Sequence, residues 1–283
     1  MVFGFNDNEA IKNIKNKYAG KMKYMYEFYT LSFMPVQVDE WDIEFVRNNY
    51  KDFLHTYNML SDEDSRKCMQ FYLDAASAGC NYDKLDPCKA LEPYFSGALS
   101  NRKFDKFFDC GAFTGDTIEA FAQKYAYEKI YAFEPDEKNI KRIEENINRK
   151  HIDNVEIVNK GVWNKKTTLH FQTAPQTSAS CICDEGNLSI DVVHIDAFFD
   201  EFTSKSLLKM DIEGSELMAL QGARRVISEK HPSLIICVYH RRSDLITIPQ
   251  YIESLVEKDT YDYILSYEGN GLGDLVFYAI PRT

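Results

Sequence analysis

The chain has 283 residues, 45% of them hydrophobic and 27% charged, a globular composition that excludes a disordered chain. With 33 Lys and Arg against 44 Asp and Glu, the net charge is -11. That argues against a nucleic-acid backbone as substrate, because phosphate binding needs clustered cations, and leaves room only for a local basic patch. No run approaches the roughly 18 apolar residues of a membrane-spanning helix. The N-terminus lacks the basic-then-apolar pattern of a secretory leader, so no membrane association and a cytoplasmic location are expected. The seven cysteines (Cys68, Cys80, Cys88, Cys110, Cys181, Cys183 and Cys237) are odd in number and several sit in apolar runs. Buried reduced thiols are expected rather than a disulfide framework. Cys181-x-Cys183 is not zinc spacing, and no metal site is assigned from sequence.

In chain order, helices are expected over 7–29, 40–59 and 62–78, where apolar residues recur at three- and four-residue spacing. Ser61 with Asp64 marks a helix start. This segment is dense in aromatics, and the stretch from Asp83 to Pro93 reads as its connector. An apolar run from Phe104 to Phe108 then leads into Asp109, Gly111 and Gly115. A helix from Asp116 to Tyr127, capped by Asp116 and Thr117, and a second apolar run from Lys129 to Phe133 complete a βαβ unit ending in Glu134. A helix over 136–150 and a strand over 155–159 follow, the strand ending at Gly161, Val162 and Trp163. Residues 167–199 read as a strand-rich insertion. A strand from Leu207 to Met210 ends in Asp211 and Glu213, before a helix over 215–230. A further strand, 234–239, ends at His240, a helix spans 249–258, and 263–267 with 275–280 form an antiparallel hairpin.

Ligands of open α/β sheets sit beyond the carboxyl ends of the strands. Asp109, Glu134, Gly161, Asp211, Glu213, Tyr239 and His240 are therefore expected around one crevice. Glycines at 111 and 115 let backbone approach a ligand. Glu134 suits the two hydroxyls of a ribose. The Asp109-Cys110-Gly111-Ala112 turn lacks the three-glycine dinucleotide pattern, and an acid at its entrance repels a pyrophosphate. It suits S-adenosylmethionine, which carries no phosphate and is cationic at sulfur and ammonium. Asp211 and Glu213 read as base, acceptor contacts or metal ligands. His240 reads as a base with a near-neutral ordinary pKa.

The stretches FFDCGAFTGDT, IYAFEPD, KGVWN, LLKMDIEGSE and ALQGA, in that order, resemble the FkbM family of S-adenosylmethionine-dependent methyltransferases. The resemblance runs from Phe104 to about Pro281. It implies a Rossmann-like, class I methyltransferase fold in residues 101–283: a mostly parallel sheet with one antiparallel strand near the C-terminus and helices on both faces. Residues 1–100 lie outside it, as a helical lid or packing module. The resemblance implies cofactor contacts from Asp109, Cys110, Gly111, Ala112, Gly115, Asp116, Thr117, Glu134, Pro135, Gly161, Val162 and Asp211. Catalysis would fall to Asp211, Glu213 and His240. The implied reaction is O-methylation of a small-molecule or glycan-type acceptor, giving S-adenosylhomocysteine. Many members carry a Glu close before the histidine, where this chain has Cys237-Val238-Tyr239-His240. An NAD-dependent oxidoreductase and a non-catalytic cofactor-binding module stay open as alternatives on the same scaffold.

Overall fold

The computed structural model describes residues 43–77, 85–90, 93–95, 97–173, 180–182, 188–269, 273 and 275–282. The helix expected over 7–29 lies outside them. The helix expected over 40–59 is two helices, α1 (Ile43–Asn48) and α2 (Tyr50–Met59), separated at Asn49. Helix α3 (Glu63–Ser77) begins at Asp62, whose carboxylate accepts the Ser65 N–H at 2.7 Å. The cap is therefore Asp62, one residue after the expected Ser61, because Ser61 is engaged with a strand instead.

The central sheet follows from short runs that are apolar on both faces, as strands covered by helices on either side must be. Its strands are β1 (Lys106–Cys110), β2 (Lys129–Phe133), β3 (Val155–Val158), β8 (Leu207–Met210), β9 (Ser233–Cys237), β10 (Tyr261–Tyr267) and β11 (Leu275–Pro281). Their order is β10-β11-β9-β8-β1-β2-β3. All neighbours are parallel except β11, which runs antiparallel to both β9 and β10. Alternate residues of one strand face different cores. Phe107, Ile130, Leu207 and Ile235 pack with Ile118 and Phe121 of helix α4 (Asp116–Lys124). Phe108, Tyr131, Leu208 and Ile236 share a second core with Phe53, Met69 and Tyr72 from α2 and α3.

Helix α5 (Glu137–Lys150) has an Asp136 cap. The expected insertion is a four-stranded sheet in the order β4-β7-β5-β6, from β4 (Gly161–Val162), β5 (Thr167–Thr173), β6 (Ser180–Ile182) and β7 (Leu188–Val193). Trp163 packs against Ile190 and Val192 of this sheet. The helix expected over 215–230 is broken into α6 (Glu216–Gln221) and α7 (Arg224–Lys230). The break falls at Gly222, where a Cβ would stand 2.2 Å from the Trp163 carbonyl, so backbone crosses backbone there. Helix α8 (Asp244–Ser254) precedes the C-terminal hairpin and carries Pro249 within it.

β10 is an edge strand, and the N-terminal segment meets its outward-facing groups. Ser61 N–H donates to the Tyr263 carbonyl at 2.8 Å, and Tyr263 N–H donates to Ser61 Oγ at 2.9 Å. Leu265 N–H donates to Ser65 Oγ at 3.0 Å, and Ala90 N–H donates to the Tyr267 carbonyl at 2.8 Å.

Candidate active site

The sheet order sets β2 and β8 on either side of β1, so the turns after these three strands share one end of the sheet. A cavity of about 330 Å³ opens there. Gly111, Asp116, Thr117, Glu134, Pro135, Gly161, Val162, Asp211 and Glu213 all line it. Asp109, Cys110, Ala112, Gly115 and His240 do not. Asp109, Cys110 and Ala112 are buried within the end of β1 and its turn, and His240 stands behind the cavity wall.

The turn after β1 alternates through left-handed backbone, with φ of 81° at Gly111, 48° at Phe113 and 81° at Gly115. A Cβ on Gly111 would lie 2.0 Å from the Asp211 carbonyl. Gly111 is thus required by the neighbouring strand, not by space for a ligand. Gly115 itself caps α4 without a side-chain hydrogen bond, so the capping expected of Asp116 and Thr117 is absent. Phe113, strained for a bulky residue, is held by its N–H donating to Glu134 Oε2 at 3.0 Å. Glu134 Oε1 accepts from Asp136 N–H at 2.9 Å. Burial raises the Glu134 carboxyl above its ordinary value, with those N–H groups opposing.

Asp109 does not rim the loop. It is fully buried and pairs with Lys209 on β8, with Nζ 3.0 Å from Oδ1. Lys209 also donates to the Gly111 carbonyl at 3.1 Å and sits over the Tyr94 ring, 5.3 Å from its centroid. Burial pushes Asp109 up to about 6, with the Lys209 ammonium pulling the other way. Burial also lowers Lys209, but Asp109 and Asp211 outweigh it and hold the ammonium above its ordinary value.

Asp211 is held by aromatic hydroxyls. Tyr94 donates to Oδ2 at 2.9 Å and Tyr239 donates to Oδ1 at 3.3 Å. Burial raises its carboxyl, but Lys209, His240 and the Tyr94 hydroxyl outweigh it, leaving the value below the ordinary carboxylate range. Tyr94 is fixed in turn by its N–H donating to Glu268 Oε2 at 2.6 Å.

His240 is 1% exposed and lies among three carboxylates. Nδ1 is 3.1 Å from Glu216 Oε1, and Nε2 is 3.5 Å from both Asp211 Oδ1 and Glu213 Oε2. Burial lowers its pKa, but Glu216, Glu213 and Asp211 together raise it to about 10. The three carboxylates favour the protonated ring over the effect of burial, which runs against the base role expected of His240. The signals missed in the sequence are Tyr94, Lys209 and Glu216. Only Lys209, a charge inside the apolar LLKM run, advertised a partner, since a buried ammonium demands one.

The family profile described as the methyltransferase FkbM domain matches residues 109–263, more than half of the chain. The crystal structure of methyltransferase FkbM from Methylobacillus flagellatus KT is 28% identical, with a TM-score of 0.70, over 85% of this chain and 61% of that one. The chain thus spans about three-fifths of that protein's length. An rRNA methylase from Streptococcus thermophilus is 13% identical over 64% of this chain and 89% of that one, at a TM-score of 0.41. Fibrillarin from Aeropyrum pernix, with natively bound S-adenosyl-L-methionine, is 10% identical over 66% and 70% of the two chains, at 0.42. At those scores neither bears on this chain's ligand or substrate. No curated protein matches the chain. The profile match over the strand ends that build the cavity, with the likeness to the Methylobacillus protein, makes this chain a member of the FkbM methyltransferase family.

Proposed function

We propose that the chain transfers a methyl group from S-adenosylmethionine to a hydroxyl of a small-molecule or glycan-type acceptor. The observation that carries this reading is the placement of Glu134, Gly111 and Asp211, at the ends of three adjacent strands, around one cavity. Its volume of about 330 Å³ falls in the range of roughly 300–1,000 Å³ for ligand-sized sites. The donor set fits the cofactor. Glu134 is an acid at the end of the second strand, suited to ribose hydroxyls. Gly161 and Val162 give an apolar wall for a purine, and the ionised Asp211 favours a cation on the other side of Gly111. When bound, S-adenosylmethionine supplies a methyl on a sulfonium whose sulfur departs as a neutral thioether, so the leaving group needs no acid.

The chain's own residues then orient the acceptor and receive its proton. Tyr94 and Tyr239 fix the Asp211 carboxylate at the cavity wall. His240 has a ring nitrogen within 3.1–3.5 Å of an oxygen of each of Asp211, Glu213 and Glu216 and ties the three together. Glu213, at φ 56° in the turn after β8, lines the cavity and is the carboxylate placed to take a hydroxyl proton. Two tyrosines beside two acids make a wall suited to a hydroxyl-rich acceptor.

Calorimetric titration with S-adenosylhomocysteine, against NAD, tests the cofactor. Binding of the first alone is expected, and preference for NAD would overturn the reading. Methyl transfer from labelled cofactor to a panel of sugars, small alcohols and amines tests the acceptor. Transfer to amines alone would overturn the hydroxyl.

A further inference from the structure

Behind the cavity wall, carboxylates crowd one imidazole, with the Lys209 ammonium on the far side of Asp211. Around the His240 ring stand Asp211, Glu213 and Glu216. Asp244, also buried, adds a fourth carboxyl close enough to Glu216 to feel its charge. One ligand atom each from Asp211, Glu216 and His240 lies within 4.8 Å of the other two. Glu216 is 0% and His240 1% exposed. Despite contacts of 3.1 and 3.5 Å, neither ring nitrogen of His240 makes a hydrogen bond, and Glu216 Oε2 makes none either. Buried polar atoms are normally paired, and unpaired ones in a native fold call for an occupant. A water molecule would satisfy one or two of them but would leave the carboxylates facing one another. A divalent cation answers both needs. The Asp211 side chain keeps 23% exposure and lines the cavity, so an ion has a way in.

We infer that Asp211, Glu216 and His240 form a binding site for one divalent transition-metal ion. The donor set, one imidazole nitrogen with two carboxylates, suits Mn²⁺ or Zn²⁺ better than Mg²⁺ or Ca²⁺, which favour all-oxygen sites. Glu216 Oε1 accepts from the Ile212 N–H at 2.8 Å, a bond that orients the carboxylate from outside the metal. On the methyl-transfer reading, an ion held by these residues would act as a Lewis acid at the Asp211 side of the cavity, which Glu213 also lines.

The test reads metal binding directly and needs neither cofactor nor acceptor. Metal-stripped full-length protein is titrated with Mn²⁺ and followed by the loss of the free-ion electron paramagnetic resonance signal, with Zn²⁺ as competitor. One Mn²⁺ per chain, displaced by Zn²⁺, is expected. Asp211→Asn and Glu216→Gln should each weaken binding by about tenfold or more. Circular dichroism checks both folds; if buried Glu216→Gln does not fold, the less buried Asp211→Asn decides. No Mn²⁺ or Zn²⁺ binding at millimolar ion, or binding unchanged by Asp211→Asn, would overturn the site. If cofactor binding then persisted, the methyl-transfer reading would stand without the metal.

Discussion

The Tyr94 hydroxyl donates to Asp211 Oδ2 at 2.9 Å across 117 positions of sequence. This one bond joins the segment before the sheet to the wall of the cavity. Tyr94→Phe removes it and leaves an ionised oxygen with one donor fewer. A hydrogen bond to a charged group contributes about 1.5–3 kcal/mol. Equilibrium denaturation at pH 7 should therefore show a loss of about 1–3 kcal/mol for Tyr94→Phe. Tyr239→Phe, whose bond is longer at 3.3 Å, should lose less. Equal, near-zero losses would show that the tyrosines do not hold Asp211.

Glu134 braces the turn as well as facing the cavity, so Glu134→Ala is expected to disturb Phe113 and to confound a binding assay. Glu134→Gln keeps the shape and removes the charge. Weakening of S-adenosylhomocysteine binding by about tenfold, or 1.4 kcal/mol, is expected by calorimetry. Unchanged affinity would detach Glu134 from the ribose.

The two glycines of the turn should separate cleanly. Gly111→Ala brings a Cβ within 2.0 Å of the Asp211 carbonyl, in addition to a φ of 81°. A loss of more than about 3 kcal/mol is expected, visible as a large fall in Tm or as insoluble protein. Gly115→Ala has the same φ but meets only Ile143, at 3.6 Å, so about 1–2 kcal/mol is expected. Comparable losses at both sites would contradict the packing described.

Asp109 gives a pH dependence with a definite sign. Its folded pKa of about 6 lies above the ordinary value of about 3.9, so the folded chain holds this proton more tightly than the unfolded chain. The stabilising contribution is complete below about pH 4 and is lost as pH rises through about 6. Asp109→Asn cannot titrate. Wild-type stability relative to this variant should fall by on the order of 2 kcal/mol between pH 4 and pH 7, measured by urea denaturation. A flat difference, or one of opposite slope, would show that Lys209 governs the pair instead.

Much of the fold after residue 100 was legible because its signals are local. The strand, turn, helix and strand ending at Glu134 follow from apolar runs and glycines, and the C-terminal hairpin from two apolar runs around a glycine-rich link. What was not legible depends on which strands are neighbours. Lys209 and Asp109 are a hundred positions apart and meet only because β8 lies beside β1. The break at Gly222 is set by the Trp163 carbonyl, a tertiary contact no spacing reveals. The upward shift at His240 needed the distances to three carboxylates, since burial alone pushes the other way. Tyr94 was one aromatic among many, and nothing beside it in sequence announces that its hydroxyl reaches a strand end.

The helix start at Ser61–Ser65 has a consequence for how the molecule meets copies of itself. An edge strand with open amide and carbonyl groups is a template on which another chain can polymerise. Here Ser61, Ser65 and Ala90 occupy those groups along β10. Removing the segment that precedes β1 would therefore do more than take a cover from one core. It would bare a seven-residue adhesive margin, Tyr261–Tyr267, along which further strands could line up side by side.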